Sequence, residues 1–352
     1  MPTSPSALLV INAGSSSVKY RVFDLSDLSV LTSDKIMRIG ENGGEFATHE
    51  DAFVFLLERV KTFSIIAAAH RVVHGGEKYN SAAHITPKIL NDLRELSPLA
   101  PLHQPHNLNA IKTLGKLLPD IPQYVDFDTA FHTGHDPIFD SYALPEDLRA
   151  QGLRRYGFHG LSYESICHQL KDSHLDAYRG RVVIAHLGNG ASLCAVKNGK
   201  SIDTTMGLTA LEGLPMGTRS GSIDPGLIIY LAKSLNYSPD KIEDILYNHS
   251  GLLGLSGISN DVKTLLESAD PRAEFVLDFF AHKVAQHVAM MATSLGGMDA
   301  LVFTGGIGEN AAPVRDNILS RLSFLPSFKS LVIKTDEELA MARHVKGLMD
   351  GQ

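Results

Sequence analysis

Short apolar runs at 8–11 and 18–23 flank the small-residue turn NAGSSS at 12–17. Runs of this length bounded by turn residues predict strand, turn, strand. The same unit returns at 182–185, HLGNGAS at 186–192 and 193–196, which predicts a duplicated domain. Further strands are expected over 65–73 and 123–126, with helices over 51–62 and 87–96, an α/β pattern. From about residue 131 a Gly/Pro/His-rich stretch precedes the second strand pair, and the chain then turns mostly helical. Ser238, Pro239 and Asp240 make a helix start, and Gly251 lies past that helix. A long helix is predicted over 271–295, its Phe275, Phe279, Val284, Val288, Met291 and Leu295 read as one core-facing stripe. A buried strand at 300–303 enters TGGIGEN (304–310) and a helix at 313–322. A last strand over 330–334 precedes a closing helix over 336–346, whose Asp336, Glu337 and Glu338 suit the positive end of the helix dipole.

Glycine-rich turns can offer backbone N–H groups to phosphate, and two of them could meet a nucleotide from opposite walls of a cleft. Neither is a Walker A loop, because GxxxxGK[ST] is absent and neither turn leads straight into a helix. Taken singly, each is equally an ordinary hairpin. A chain of 352 residues, 44% hydrophobic, suffices for two packed domains. Its net charge of −7 and lack of Lys/Arg clusters argue against nucleic-acid or membrane partners. A small anionic ligand must then be held by local arginines. Cys167 and Cys194 lie in apolar segments without metal spacing and read as core thiols of a reduced compartment. The N-terminal apolar run is too short for a signal segment and no 18-residue apolar span occurs, so a cytoplasmic protein is expected.

Two arginines stand in unusual company: Arg71 in HRVVHGG (70–76), at the end of a β-branched run, and Arg219 in GTRSG (217–221), flanked by small residues. Flanking glycines leave a guanidinium open for paired hydrogen bonds to carboxylate or phosphate. Isolated surface arginines would otherwise serve as salt-bridge partners. His70 and His74 are four apart, but Val-Val between them and Gly-Gly after them favour a strand end over a metal-binding helix. Asp128 in VDFDTAFH and His159 in RYGFHG suit phosphoryl transfer, which needs positioning and charge neutralisation. A turn cap and a core histidine are the alternative roles.

NAGSSS, HRVVHGG, LAPLHQPHN (99–107), FDTAFH, RYGFHG, HLGNGAS, DTTMGLTALEGLPMGTRSGSIDPG (203–226), GLLGLSG (251–257), FTGGIGEN and TDEE (335–338) follow one another as in the acetate kinase family, which the whole chain resembles. The resemblance implies the duplicated two-domain α/β fold of acetate and sugar kinases, Hsp70 and actin (ribonuclease H-like), with an interdomain active-site cleft. Residues 1–130, completed by helix 337–352, would bind acyl group and phosphate, and residues 131–336 the nucleotide. It implies reversible, direct in-line transfer of the ATP γ-phosphoryl group to acetate, giving acetyl phosphate and ADP. By motif, Arg71, Arg219, His159 and Asp128 would be catalytic, and Arg71, Val73, Leu102, Phe158 and Ala210 would hold the acyl group. Lys19, His186, Leu187, Gly188, Asn189, Gly190, Asp261, Val262, Lys263, Gly306, Ile307, Gly308, Glu309 and Asn310 would bind ATP or ADP. Asn12 and Glu337 would hold Mg²⁺, for which Mn²⁺ could substitute, and the protein would be a homodimer.

An acetyl carboxylate is already a nucleophile at neutral pH, so the site must bring two anions together and needs no general base. A sugar kinase would need an Asp base for a hydroxyl. Ala210 stands where the family reads TPLEG, and the lost ring would admit propionate, since a methylene is worth about 1–3 kcal/mol. Lys263 stands where the family has an arginine and lacks its planar fork. A propionate kinase of the same mechanism is the near alternative; an actin- or Hsp70-like nucleotide clamp without an acyl substrate is the remote one.

Overall fold

The computed structural model describes residues 5–101 and 103–351. The chain divides into two compact units: Met1–Thr133 with Gly160–Ser165 and Asp336–Gln352, and Gly134–His159 with Ile166–Thr335.

The first unit carries a six-stranded sheet of β1 (Ser6–Ala13), β2 (Ser17–Asp24), β3 (Val30–Met37), β4 (Ser64–Val72), β5 (Ala83–His84) and β6 (Gln123–Phe127), in the order β3-β2-β1-β4-β6-β5. β1, β2 and β3 pair antiparallel, while β4 lies parallel to β1 and β6 to β4. The apolar run of β1 has no polar alternation because both of its faces are covered. Leu9 and Ile11 pack with Phe53 and Leu56 of helix His49–Val60 and Leu114 of helix Gln104–Leu117. Leu8 and Val10 pack instead on Met341, Ala342 and Val345 of the closing helix Glu337–Met349. That helix thereby belongs to the N-terminal sheet.

The second unit repeats the scheme with β7 (Arg181–Leu187), β8 (Ala191–Lys197), β9 (Lys200–Thr204), β10 (Ala300–Thr304) and β11 (Lys329–Val332), ordered β11-β10-β7-β8-β9. β7, β8 and β9 are antiparallel neighbours, and β10 and β11 continue in parallel from β7. Three meandering strands followed by two parallel crossovers thus occur once in each unit. The predicted duplication is present in the topology.

Helix Pro271–Leu295 spans the predicted range, but its buried face begins one residue later than the apolar pattern suggests. Val276, Phe280, Val284, Val288, Met291 and Leu295 are buried, whereas Phe275 is 58% exposed and Phe279 half-buried. The sequence offers Phe279 and Phe280 side by side, so helical periodicity alone cannot choose between them. Contact with the sheet does. Between β10 and the helix expected at 313–322, TGGIGEN is itself helical: helix Gly305–Asn310 starts directly at the glycine pair. No helix of the described residues is long and apolar enough to cross a membrane.

Candidate active site

In the first unit the sequence candidates gather around one guanidinium. Arg71, near the end of β4, donates from Nε to Asp128 Oδ1 at 2.8 Å and from Nη2 to Oδ2 at 2.5 Å. Its Nη1 donates to Asn12 Oδ1 at 3.3 Å, and Glu337 Oε2 lies 3.9 Å from Nε. Asp128 is buried, and both of its oxygens are engaged by the same fork, a side-on pair that fixes the guanidinium plane. Burial disfavours the charge on Arg71, yet Asp128, Glu337 and Glu338 outweigh it and hold the group more firmly protonated than usual. At Glu337 burial raises the carboxyl pKa, Arg71 and Lys19 pull it down, and Asp128 and Glu338 add to the rise.

Supporting contacts come from residues that the motifs contain but to which sequence reasoning gave no role. Buried Asn107 accepts from Val73 N at 3.2 Å and donates to Ala13 O at 2.8 Å, tying the ends of β4 and β1 together. Gln104 accepts from His74 N and donates to His74 O. Both amides sit in the first turn of helix Gln104–Leu117, where burial obliges them to find partners. Each acid of the closing helix meets a cation: Asp336 binds Arg21 at 2.7 and 2.8 Å, and Glu338 pairs with Lys19 at 2.7 Å. Lys19, expected at the nucleotide, is therefore found on Glu338. Val73 is buried at the end of β4, and Leu102 lies outside the described residues.

The resemblance placed Mg²⁺ on Asn12 and Glu337, and the donors suit it. Both are hard oxygen ligands beside the same guanidinium, and the carboxylates around Glu337 leave negative charge that a divalent cation would offset. Mg²⁺ characteristically takes one or two protein carboxylates and completes its shell with water and phosphate oxygens. Among the described residues no group of three or more His, Cys, Asp or Glu converges on a metal position, so the donors suit a phosphate-bound cation and not a protein cage.

In the second unit the HLGNGAS turn joins β7 to β8, with Gly188 N donating to Gly190 O at 3.0 Å. His159 lies over it, its Nδ1 2.8 Å from Ser192 Oγ and its ring stacked on His186 at 4.3 Å. Its backbone is left-handed, φ 59°, where helix Gly160–Ser173 begins, a conformation costing roughly 1–3 kcal/mol for a non-glycine residue. A Cβ added to Gly190 would sit 3.2 Å from His159 Nε2 and 3.9 Å from Arg219 Nη1. The bare glycine leaves His159 room against the turn, where a Cβ would press on its ring, and Arg219 comes within van der Waals contact of the same point. Arg219 also donates from Nη1 to Ala210 O at 3.0 Å, and Phe158, next to His159, is buried.

A cavity of about 490 Å³ opens beside the same turn. Its walls come from three segments distant in sequence: Gly188 and Asn189; Asp261, Val262, Lys263 and Leu266; and Gly306, Ile307, Asn310 and Ala311. Eight of the expected nucleotide-binding residues line it. Val262, Leu266, Ile307 and Ala311 give it apolar lining and Asn189, Asp261, Lys263 and Asn310 polar lining, a mixture that suits a flat heterocycle with a charged tail. The Asp261 carboxylate caps its own helix, accepting from Thr264 N at 3.2 Å, and the Lys263 head group stays solvent-exposed, 4.0 Å from Glu267. Leu187 and Gly308 are buried and do not line the cavity. Glu309 turns inward, its Oε1 accepting from Gly305 N at 3.0 Å and Thr335 N at 3.2 Å.

The model of the Acetokinase family matches residues 7–346. The chain belongs to that family. An acetate kinase of Rhodopseudomonas palustris is 42% identical over 392 aligned positions, covering 98% of both chains. Among solved structures, a propionate kinase from Francisella tularensis superposes with a TM-score of 0.89 at 36% identity, covering 96% of this chain and 98% of that one. Porphyromonas gingivalis acetate kinase gives 0.86 at 34%, covering 97% and 100%. As an acetokinase-family member the chain is a kinase with ATP and ADP as co-substrates, built on the duplicated α/β fold expected from its sequence.

Proposed function

We propose that the chain is an acetate kinase, transferring the γ-phosphoryl group of ATP to acetate reversibly and directly in line. One observation carries this reading: both oxygens of Asp128, the best-placed carboxylate, are held by Arg71. A kinase acting on a hydroxyl needs a carboxylate free to take a proton. Here the carboxylate orients a guanidinium instead, which suits an acceptor that is already an anion.

In this reading Arg71 draws in the acyl carboxylate, held in plane by Asp128 and flanked by Val73. Arg219 and His159 neutralise the equatorial oxygens of the phosphoryl group in transit, since charge stabilisation and alignment are the main demands of this chemistry. The 490 Å³ cavity takes the adenosine, and the 186–192 turn the phosphates. Asn12 and Glu337 would hold Mg²⁺, which when bound offsets phosphate charge. Residues 1–130 with helix 337–352 form the acyl and phosphate-binding domain, and residues 131–336 the nucleotide domain.

Pure protein incubated with acetate, ATP, Mg²⁺ and hydroxylamine is expected to form acetohydroxamate. Its absence would overturn the assignment. A second reading, propionate kinase, is favoured by one feature: Ala210 offers only a methyl group beside the Arg219 guanidinium it binds. The ratio of kcat/KM for acetate and propionate decides, and a clear excess for propionate selects this alternative.

The expected homodimer is supported by helix Pro225–Lys233. Its PGLIIYLAK sequence has no buried residue, leaving Ile229 56% and Tyr230 55% exposed. A second copy is the occupant we propose for this face.

A further inference from the structure

The resemblance gives Glu309 to the nucleotide, but its carboxylate faces the other way. Oε1 accepts from Gly305 N at 3.0 Å and Thr335 N at 3.2 Å, with Thr304 Oγ1 at 3.4 Å. Gly305 opens the helix whose Gly306, Ile307 and Asn310 line the cavity, and Thr335 is two residues before Glu337. One oxygen thus ties the wall of the nucleotide cavity to the segment that delivers the candidate metal carboxylate. Backbone pairing of β10 with β11, continued by Ile333 N donating to Phe303 O at 3.0 Å, runs the two ends side by side, and each end also has fastenings of its own. Arg315 Nη1 donates to Gly308 O at 2.9 Å and Glu309 O at 3.0 Å, Asn310 Nδ2 donates to Gly306 O at 2.8 Å, and Gln169 Nε2 donates to Lys334 O at 2.8 Å. Among the described residues Glu309 supplies the side-chain link between them.

We infer that Glu309 is a positioning residue that couples the adenosine wall to the Glu337 carboxylate, and that it does not itself contact nucleotide or metal. The inference rests on the proposed function, because it takes the cavity as the nucleotide site and Glu337 as a cation ligand. What it demands of residue 309 is reach, from one helix across to residue 335; it does not demand charge, because its partners are two backbone N–H groups and a hydroxyl, from all of which an amide oxygen can accept.

Two variants separate reach from charge without opening a cavity. Glu309→Gln keeps the length and loses the charge; Glu309→Asp keeps the charge and is one methylene short. ADP binding without metal is read by calorimetry, and Mn²⁺ binding to the ADP complex by electron paramagnetic resonance. The Gln variant is expected to match the parent in both. The Asp variant is expected to bind ADP within about twofold of the parent but Mn²⁺ roughly tenfold more weakly, the scale for loss of an outer hydrogen bond that orients a ligand. Loss of Mn²⁺ or ADP affinity in the Gln variant would make 309 a direct ligand and overturn the inference. So would an Asp variant indistinguishable from the parent, or one that loses ADP and Mn²⁺ alike. Failure of the parent protein itself to bind ADP would instead sink the functional reading on which the inference stands.

Discussion

Arg71 and Arg219 look alike in the sequence, each a lone arginine close to glycines, yet their surroundings give them different work. Arg71 is locked by a two-oxygen carboxylate pair, while Arg219 leans over a glycine turn and is held by a backbone carbonyl. Arg219→Ala is therefore expected to lower kcat by about 10²–10³, the usual loss for a donor aimed at transition-state charge, with ADP affinity unchanged by calorimetry. An unchanged kcat would remove its role. Three histidines contribute to the pH dependence of stability. Burial holds His70 and His74 down at about 4 from an ordinary 6.5, so stability is complete above pH 6.5 and falls as pH drops toward 4. His344 is opposite: burial opposes its charge, but Asp126 at 2.7 Å and Glu164 at 3.0 Å overcome it and raise it to about 10. Its contribution is complete below pH 6.5 and fades as pH climbs to 10. Each group changes stability by up to about 1.4 kcal/mol per pH unit within its window. Urea midpoints should then peak near pH 6.5, and His344→Gln should flatten the alkaline limb specifically. A parent curve still rising from pH 7 to 9 would contradict both assignments.

At the scale of elements, the helix over 271–295 separates what periodicity can say from what it cannot. Its span is where the sequence placed it, and the Asp270 cap and Gly296 stop that bound it are local features. Its buried face is not, because adjacent Phe279 and Phe280 are equivalent in an isolated helix. Phe280→Ala is expected to cost about 3–5 kcal/mol, as for a fully buried ring, and Phe275→Ala under about 0.5 kcal/mol. Chemical denaturation of the two variants measures both, and equal losses would place the core on the wrong face. Strands β3, β5 and β9 lie outside the predicted strands. β3 is an edge strand, largely exposed, whose VLTSDKIM sequence carries charge where it meets water. Edge strands are marked by polarity, which makes them read as loop.

At the scale of the whole molecule, the exposed apolar helix Pro225–Lys233 leads to a measurable expectation. Sedimentation equilibrium should give a dimer, and Ile229→Glu should shift it toward monomer by placing a charge on the covered face. A parent monomer at micromolar concentration would leave that helix without the proposed partner. The repeated strand order of the two units was legible in advance, because the strand-turn-strand unit is local and recurs in the sequence. The first unit's recruitment of residues 336–352 through Met341, Ala342 and Val345 was legible through the family resemblance and not through hydrophobic pattern, which says only that one face of that helix is apolar.

The sequence by itself determined the duplicated α/β pattern, the glycine turns, the family and the residue types available for chemistry, because each is encoded over a few neighbouring positions. The tertiary structure decided partnerships. Asp128 could have been a base until Arg71, 57 positions away, took both of its oxygens, and Glu309 stood in a ligand motif until Thr335, 26 positions away, took its carboxylate. A charged side chain in a protein interior goes to the partner that satisfies its hydrogen bonds, and which partner is within reach is a property of the folded chain.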